Sequence, residues 1–490
     1  MIPTEIRRPV ASETNLRNAT GIPPADTQLL AVLLTAYAVI YAVTFPHMYT
    51  SLDESDNFGM AYVLRQGTIH PSTAHTSLSM DVPGAHGSVY RFPIGFPLIL
   101  AGMSYLGSQA LFLVNPIMHL LATWFFARTL KLLECPVWLA AIYLFYPGFV
   151  LYQRTLFSDG FAASLTAIAL YNLLSGRMTA AGVMMGLSVM SRSTSAVIAV
   201  LLAAGLAIES RKRGDTPLTM VTAAAKFCLG LLPFFIATGV YNELTMGSPL
   251  KSTYSGSLFA WHAFKTFAPF YIASLALVPP GMFFAPLAYR GPYRQTLIAI
   301  CGVVFLIAAS YHESTFGENR LQSLITVSRQ VLPAMPFFLL AYCTWLGRFK
   351  GWFIVPRTAA VLSLLVVAAG MSWIHYRVLG RLLVLHADLA RVLPPHAVVY
   401  ANKDVFKLHQ HVWDPQTYRM LNTVTVKQVA VDMHSGPVFV VTYYRNRGVE
   451  NEDNQNNAIQ ADLKTHWILT ELPSSAGSDF HYYRVQGYHT

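Results

Sequence analysis

Long apolar stretches without charged residues alternate with short polar segments from residue 27 to residue 377. A helix that crosses the roughly 30 Å hydrocarbon core of a bilayer needs about 20 mostly apolar residues. The pattern therefore predicts an α-helical polytopic membrane protein with about eleven transmembrane helices. The predicted spans are residues 27–46, 109–130, 135–152, 159–175, 179–191, 194–208, 221–242, 267–288, 295–311, 330–347 and 354–376.

The apolar segment 94–106 is not counted among the spans. It belongs to a charge-free run between Arg91 and Arg128, which is too long for one helix at 1.5 Å per residue, and Gly107-Ser108 offers a break. If 94–106 does not cross, fifteen basic and six acidic residues share one side of the membrane, against eight of each in the opposite loops. Because cytoplasmic loops carry the excess of Lys and Arg, we expect 94–106 to be a re-entrant or interfacial juxtamembrane helix and the amino terminus to be cytoplasmic.

The chain changes character after Tyr376. Residues 378–490 are rich in His, Asn, Asp and Lys and contain no stretch long enough to cross a membrane. Three short stretches are predicted strands: Ala397–Ala401, Pro437–Thr442 and His466–Thr470. We expect a small α/β soluble domain here. The predicted organisation is a cytoplasmic tail (1–26), a membrane domain (27–377) with its first outside loop at 47–108, and a periplasmic or extracytoplasmic domain (378–490).

The composition agrees with a membrane protein. Of the 490 residues, 54% are hydrophobic and 12% are charged, whereas soluble domains average about 25% charged residues. An ordinary soluble protein is thereby excluded, and so is a disordered chain, which needs low hydrophobicity. The net charge of +10 lies almost entirely in the predicted cytoplasmic loops, so it does not indicate a nucleic-acid partner. We expect a multi-pass protein of a bacterial inner (plasma) membrane, in contact with membrane lipids.

The first outside loop begins with an acidic motif, in which Asp53 and Glu54 follow Ser51 and precede Asp56. One interpretation is a helix start, because Ser51-x-x-Glu54 is a capping box and acids are favoured in the first turn. The other interpretation is an acidic pair at the membrane surface, with Asp53 or Glu54 acting as a general base.

Four further motifs follow on the same predicted side of the membrane. They are Arg91-Phe-Pro93-Ile-Gly-Phe-Pro97, Asp159 after the third span, Arg192-Ser193, and Arg329-Gln-Val-Leu-Pro333-Ala-Met-Pro336. Together with Asp53-Glu54, their order resembles the GT-C glycosyltransferase superfamily, in particular its protein O-mannosyltransferase and lipid A aminoarabinose-transferase branch. The resemblance covers roughly residues 27–345, and Pro-Ile-Gly-Phe-Pro replaces the usual Pro-Pro pair.

The resemblance implies an inverting membrane glycosyltransferase. Such an enzyme moves a sugar from a polyprenyl-phosphate-linked donor to a lipid, glycan or protein acceptor on the outer membrane face. Asp53 would be the general base, with Glu54 as the near alternative or its partner. Asp159 would orient the acceptor, hold a basic partner or cap a helix. Cationic side chains would stabilise the leaving phosphate: Arg329, Arg91 and Arg320, with Lys265 as a weaker candidate. No cofactor is required.

Other interpretations stay open. Arginines near helix ends also anchor at lipid headgroups, and Arg154 and Arg192 fit structural pairs with acids such as Asp159. His312-Glu313 can bind a divalent metal ion but matches no zinc motif, so a metal is possible and not indicated. The alternative functions are a transporter or lipid flippase, or a non-catalytic subunit of a polysaccharide assembly or export system. Charges near predicted helix ends favour the enzyme, because transporters place them near the bilayer midplane.

The predicted orientation puts Asn451 outside the cytoplasm. A cysteine introduced at Asn451, in a chain whose native cysteines are replaced by serine, should react with a membrane-impermeant maleimide on spheroplasts. Labelling that occurs only after permeabilisation would contradict the orientation and the outside location of the acidic motif.

Overall fold

The computed structural model describes residues 24–49, 51–70, 82–85, 87–251, 260–311, 324, 329–349, 354–402, 405, 416–421, 426–443, 465, 467–473 and 480–488. Arg320, His312 and Glu313 lie outside the described residues. The described chain is mainly helical, with a two-stranded pair within residues 82–89 and a five-stranded sheet towards the carboxyl terminus. A helical protein with a small α/β unit is thus confirmed.

The elements follow one another in this order along the chain. The helices are α1 (Pro24–Val43), α2 (Leu52–Arg65), α3 (Gly95–Met103), α4 (Val114–Leu132), α5 (Ala140–Leu144), α6 (Pro147–Tyr152), α7 (Ser158–Leu174), α8 (Met178–Ser191), α9 (Ser195–Arg213), α10 (Pro217–Met246), α11 (Trp261–Leu277), α12 (Ala285–Ala288), α13 (Arg294–Ala309), α14 (Met335–Gly347), α15 (Ile354–Val392) and α16 (Val426–Ser435). The strands are β1 (Val82–Gly84), β2 (Gly87–Val89), β3 (Val398–Ala401), β4 (Thr417–Met420), β5 (Val438–Tyr443), β6 (Trp467–Leu472) and β7 (Phe480–Tyr488). Short 3₁₀ segments lie at Ser104–Leu106, Ser108–Leu113, Val137–Leu139, Met282–Phe284 and Arg329–Ala334.

Several helices can cross a membrane. Within the described chain, five stretches are long and apolar enough: Asp26–Val43, Ser108–Leu132, Pro217–Met246, Arg329–Gly347 and Val361–Val392. Helices α10 and α15 leave many apolar side chains exposed, as helices that face lipid do. The chain is therefore a membrane protein, whereas the total of eleven spans stays a prediction.

Two predicted spans are interrupted in the structure. The predicted helix 135–152 is divided into α5 and α6, because Pro147 has no N–H to continue the helical hydrogen bonds across this point. The predicted helix 267–288 is divided as well. There, α11 ends two residues before Pro279, and the remainder forms a 3₁₀ segment and the short α12.

The structure contains both breaks that the sequence predicts, one at Gly107 and one at Arg192. Gly107 follows α3 and its 3₁₀ extension with a φ of 106°, a conformation that favours glycine, and so interrupts the charge-free run. Arg192 separates α8 from α9, as expected. Helix α15, however, continues to Val392. The predicted domain boundary after residue 377 therefore falls inside one continuous helix.

Helices α8 and α10 approach each other through glycines. A Cβ atom on Gly182 would lie 2.0 Å from the carbonyl oxygen of Phe227, and one on Gly230 would lie 2.2 Å from that of Thr179. Small residues permit such backbone contact between membrane helices, whose association depends on close van der Waals packing. This contact holds α8, which ends next to Arg192, against α10.

The carboxyl-terminal sheet has the strand order β4-β3-β5-β7-β6. Strand β3 pairs in parallel with β4 and β5, whereas β7 pairs antiparallel with β5 and β6. Leu389 and Leu393, at the end of α15, pack with Met48 against one face of this sheet. The three predicted strands correspond to β3, β5 and β6, and the structure adds β4 and β7.

A buried carboxylate connects α16 to the sheet. Asp432 accepts a hydrogen bond from the Tyr400 hydroxyl, and Arg419 and Gln428 donate to it at 3.0 and 3.1 Å. Burial raises the pKa of Tyr400, and the neighbouring Asp432 carboxylate raises it further. Tyr400 is therefore a protonated donor at neutral pH.

The glycine contact yields a stability prediction. Gly182→Val should force α8 away from α10 and lower the free energy of unfolding by about 1–3 kcal/mol, the usual cost of overpacking. The measurement is the thermal unfolding midpoint of the purified protein in detergent. Gly302→Val in α13 is the matched control, since a Cβ there meets open space. Equal midpoints for the two variants would contradict the close packing.

Candidate active site

The acidic motif forms the first turn of α2. Ser51 Oγ accepts from the backbone N–H of Glu54 at 3.2 Å, which confirms the helix-capping interpretation. The acids are nevertheless buried: Asp53, Glu54 and Asp56 are 9%, 3% and 1% exposed. Buried carboxylates need partners. The partners of Asp53 and Glu54 come from two other segments of the chain.

Asp53 forms a contact ion pair with Arg329. Arg329 begins the 3₁₀ segment that leads into α14, and its guanidinium lies over Phe157, 4.6 Å from the ring centroid. The side chains of Asp53 and Arg329 are 12% and 17% exposed, so the pair is mostly buried but still accessible. The structure thus joins two residues that the sequence selected for different roles, a base and a phosphate ligand.

Two side chains of α2 hold Leu156 by its backbone. The carboxylate of Glu54 accepts from the Leu156 N–H at 2.9 Å. Asn57 Nδ2 donates to the carbonyl oxygens of Asp53 and Leu156, at 3.1 and 3.0 Å. Both polar backbone groups of Leu156 are therefore satisfied by α2. These bonds tie α2 to the segment 153–157, which connects α6 to α7.

Asn115 of α4 holds the same segment from another helix. Its Nδ2 donates to the carbonyl oxygens of Thr155 and Phe157, at 2.7 and 3.0 Å. A segment without regular secondary structure leaves its carbonyl groups to be satisfied by side chains or water. Because Asn115 takes two of them inside the protein, the backbone of Phe157 is fixed, and its ring is placed against Arg329.

A second buried ion pair lies beside the first. Asp159, in the first turn of α7, contacts Arg192, and the guanidinium reaches both carboxylate oxygens at 3.0 and 3.3 Å. The predicted structural pair of Arg192 and Asp159 is therefore confirmed. Asp159 is also close enough to interact electrostatically with Arg329. The positive charge of Arg329 thus interacts with two carboxylates, those of Asp53 and Asp159.

Arg154 has partners other than the acid that the sequence predicted. Its guanidinium donates to the hydroxyl of Thr44 at 2.6 Å, to the carbonyl oxygen of Thr44, and to Nδ1 of His375 at 3.2 Å. It also lies over the ring of Tyr41. Among the described residues, oxygen and nitrogen acceptors of α15 and of the end of α1 stand where an acidic partner was expected. They link the segment 153–157 to both helices.

Two further predicted ligands lie on other segments of the chain. Arg91 is half-buried just before α3, and Lys265 is exposed on α11, which packs against α13. Arg320 is outside the described residues, so its prediction is not tested. In the part of the chain that the structure describes, no three His, Cys, Asp or Glu side chains form a group that could hold a metal ion. The residues brought together are Asp53, Glu54, Asp159, Arg192 and Arg329.

Sequence reasoning did not identify the neutral residues that build the site. Asn57 lies one helical turn after Asp53, and this spacing on one face of α2 is a signal that could have found it. Asn115 and Phe157 are 42 residues apart, and no local pattern relates them. Their roles follow only from the way in which α4 packs beside the segment 153–157.

Two solved structures share the architecture of this chain. The sequence matches no family model and no curated protein. ArnT from Cupriavidus metallidurans in the apo state aligns with a TM-score of 0.56 and 12% identity, over 94% of this chain and 98% of that chain. The apo oligosaccharyltransferase of Archaeoglobus fulgidus aligns with a TM-score of 0.50 and 11% identity, over 95% and 74%. Both are GT-C proteins. This chain has the GT-C fold.

The GT-C fold confirms the predicted resemblance. At 12% and 11% identity the likeness is one of fold alone. The activity of this chain depends on the side chains in the first turn of α2 and around Arg329.

The pair of Asp159 and Arg192 yields a second prediction. Arg192→Met should leave Asp159 buried without its partner and cost about 3–5 kcal/mol of stability. The double variant with Asp159→Asn should recover much of this loss. The measurement is the thermal unfolding midpoint in detergent for each variant.

The matched control is Arg213→Met. Arg213 and Glu209 form a wider, more exposed pair at 3.8 Å, and such pairs contribute only about 0–1 kcal/mol. A single variant at Arg192 that unfolds at the same temperature as the Arg213 variant would show that the buried pair is not important for stability.

Proposed function

We propose that this protein is an inverting membrane glycosyltransferase. It moves a sugar from a polyprenyl-phosphate-linked donor to a lipid, glycan or protein acceptor at the outer face of the membrane. The observation that carries this proposal is the accessible ion pair of Asp53 and Arg329 within a GT-C fold. It supplies one anionic and one cationic group at the same place, and the reaction needs both.

Asp53 is the general base. A sugar or lipid hydroxyl is a weak nucleophile, so a positioned carboxylate that accepts its proton accelerates attack on the anomeric carbon. Glu54 stays the alternative base. Its hydrogen bond to the Leu156 N–H favours a positioning role, since a carboxylate already engaged with the backbone is less free to accept a proton.

Arg329 binds the leaving phosphate. Negative charge grows on the phosphate oxygens as the bond to the sugar breaks, and a fixed guanidinium stabilises that charge. The planar fork of arginine matches two phosphate oxygens. Arg91 and Arg320 are further candidates, and Lys265 is a weaker one. The phosphate already carried by the donor supplies a good leaving group, so the proposal includes no cofactor.

The direct displacement explains the predicted stereochemistry. The acceptor oxygen attacks from the face opposite the phosphate, and the configuration at the anomeric carbon inverts. Asp159 stays a candidate for the acceptor side, although its pairing with Arg192 favours a supporting role. In the proposed orientation, the amino terminus is cytoplasmic, and the site and the carboxyl-terminal domain lie outside.

The rival function is a transporter or a lipid flippase. Transporters place their charged residues near the bilayer midplane, at breaks within helices. Here the charges stand at helix ends: Asp53 and Asp159 lie in first turns, and Arg192 and Arg329 lie where helices end or begin. Charges at helix ends support an interfacial enzyme, because that is where a lipid-linked phosphate and a water-soluble acceptor meet.

The experiment uses the full chain in lipid nanodiscs. It is given a panel of polyprenyl-phosphate sugars with a membrane-glycolipid extract, and release of free polyprenyl phosphate is followed. Asp53→Asn should lower the rate by about 10²–10⁴-fold, the usual contribution of a general base. Asp388→Asn, a change in the last turns of α15, is the control for carboxylate loss elsewhere and should keep the wild-type rate.

Three other results are informative. Release that survives Asp53→Asn and is lost in Glu54→Gln would move the base to Glu54. Release that survives both changes would contradict a carboxylate base in this motif. No release from any donor, with a protein that is folded, would contradict the transferase and favour the transporter.

A further inference from the structure

The ion pair of Asp53 and Arg329 occupies both groups that the proposed reaction needs. A carboxylate oxygen that contacts a guanidinium is occupied and does not at the same time receive the proton of an acceptor hydroxyl. In the same way, an arginine whose donors point at Asp53 has fewer of them for phosphate. The paired arrangement is therefore not the arrangement that performs the chemistry.

We propose that the phosphate of the lipid-linked donor displaces Asp53 from Arg329, so that donor binding itself frees the base. This inference rests on the proposed function and adds its regulation. Before the donor binds, Arg329 holds Asp53 in an inactive pair. Once phosphate occupies the guanidinium, Asp53 is released towards the acceptor hydroxyl.

The contacts of Arg329 indicate which member of the pair stays in place. Its guanidinium lies over Phe157, whose ring also contacts Tyr152 in a T-shaped arrangement, with centroids 6.0 Å apart. The backbone of Phe157 is itself held by Asn115. These contacts persist when Asp53 leaves, because none of them involves Asp53. Arg329 is therefore the fixed partner, and the carboxylate is the exchangeable one.

Asp159 does not take the place of Asp53. Arg192 donates a hydrogen bond to Oδ2 of Asp159 and lies 3.0 Å from its Oδ1 as an ion pair, and both side chains are almost fully buried. Of the two acids that the described residues pair around Arg329, Asp53 is therefore the one that exchanges with phosphate.

The exchange replaces one anionic partner of Arg329 by another. The phosphodiester of a lipid-linked sugar carries one negative charge, as does the carboxylate that it replaces, so Arg329 keeps one anionic partner throughout. In the transfer step, the acceptor oxygen bonds to the anomeric carbon and its proton passes to Asp53. The bond from that carbon to the phosphate oxygen breaks, and its electron pair stays on the phosphate.

The released monoester binds Arg329 more strongly than the donor does. A phosphate monoester carries about 1.5 to 2 negative charges near pH 7. Return of Asp53, which then gives its proton to water, helps to displace this product. The same competition that delays donor binding therefore assists product release.

The test measures binding of a radiolabelled polyprenyl phosphate, without sugar, to the full chain in nanodiscs. If Asp53 competes with phosphate for Arg329, Asp53→Asn should bind about tenfold more tightly than wild type, within the usual range of coupling between sites. Arg329→Met should bind far more weakly. Combining the two changes should give the affinity of Arg329→Met, because the effect of Asp53 acts through Arg329.

Asp159→Asn is the matched control. It also removes one negative charge near Arg329, but the direct contact of Asp53 with Arg329 remains. Under the exchange its gain in affinity should be clearly smaller than that of Asp53→Asn. Equal gains would show that only the overall field matters and would overturn the exchange. Where Asp53→Asn does not fold, Asp53→Ser gives the same comparison.

Failure of the exchange differs from failure of the proposed function. If wild type turns over a donor but Asp53→Asn binds polyprenyl phosphate no more tightly, the transferase stands and the exchange is wrong. If Asp53→Asn also tightens polyprenyl phosphate binding when Arg329 is already Met, the exchange is overturned as well. If wild type turns over no donor in the panel, the proposed function fails, and the exchange fails with it.

Discussion

The cost of burying charge governs the architecture of this site. An unpaired charge in a low-dielectric interior costs several kcal/mol, and only a partner with good geometry offsets that cost. Asp53, Glu54 and Asp159 are all buried at helix starts, and each takes its partner from a different segment: Arg329, the Leu156 N–H and Arg192. Satisfying these carboxylates brings α2, the segment before α7 and the entry to α14 to one place.

The membrane part of the fold could be predicted from the sequence wherever hydrophobicity is continuous. Long apolar runs predicted α1, α10 and α15, and Gly107 predicted a break that the structure contains. The helix interrupted at Pro147 could also have been foreseen, because proline removes a backbone donor. Strand β4, by contrast, is a short edge strand of four residues that includes Arg419. Its pairing depends on β3, and its local sequence gives little sign of it.

The charged residues of the site were predictable, and the neutral ones were not. Asp53, Asp159 and Arg329 stand at fixed points relative to the predicted spans, so their common side of the membrane could be inferred from loop alternation. Asn115 is one asparagine in an apolar helix, and the hydrogen bonds that it donates depend on a segment 40 or more residues away. Arg154 shows the same limit, since a lone arginine does not reveal that Thr44 will accept from it.

The partners of Arg154 connect helix α15 to the candidate site. Helix α15 is continuous from its membrane-spanning part to Val392, and its last turns pack against the carboxyl-terminal sheet. His375, within that helix, accepts from Arg154. Arg154 begins the run that continues through Leu156, held by α2, to Phe157 beneath Arg329. These contacts form a continuous path from α15, through Arg154 and the segment 153–157, to the ring that lies against Arg329.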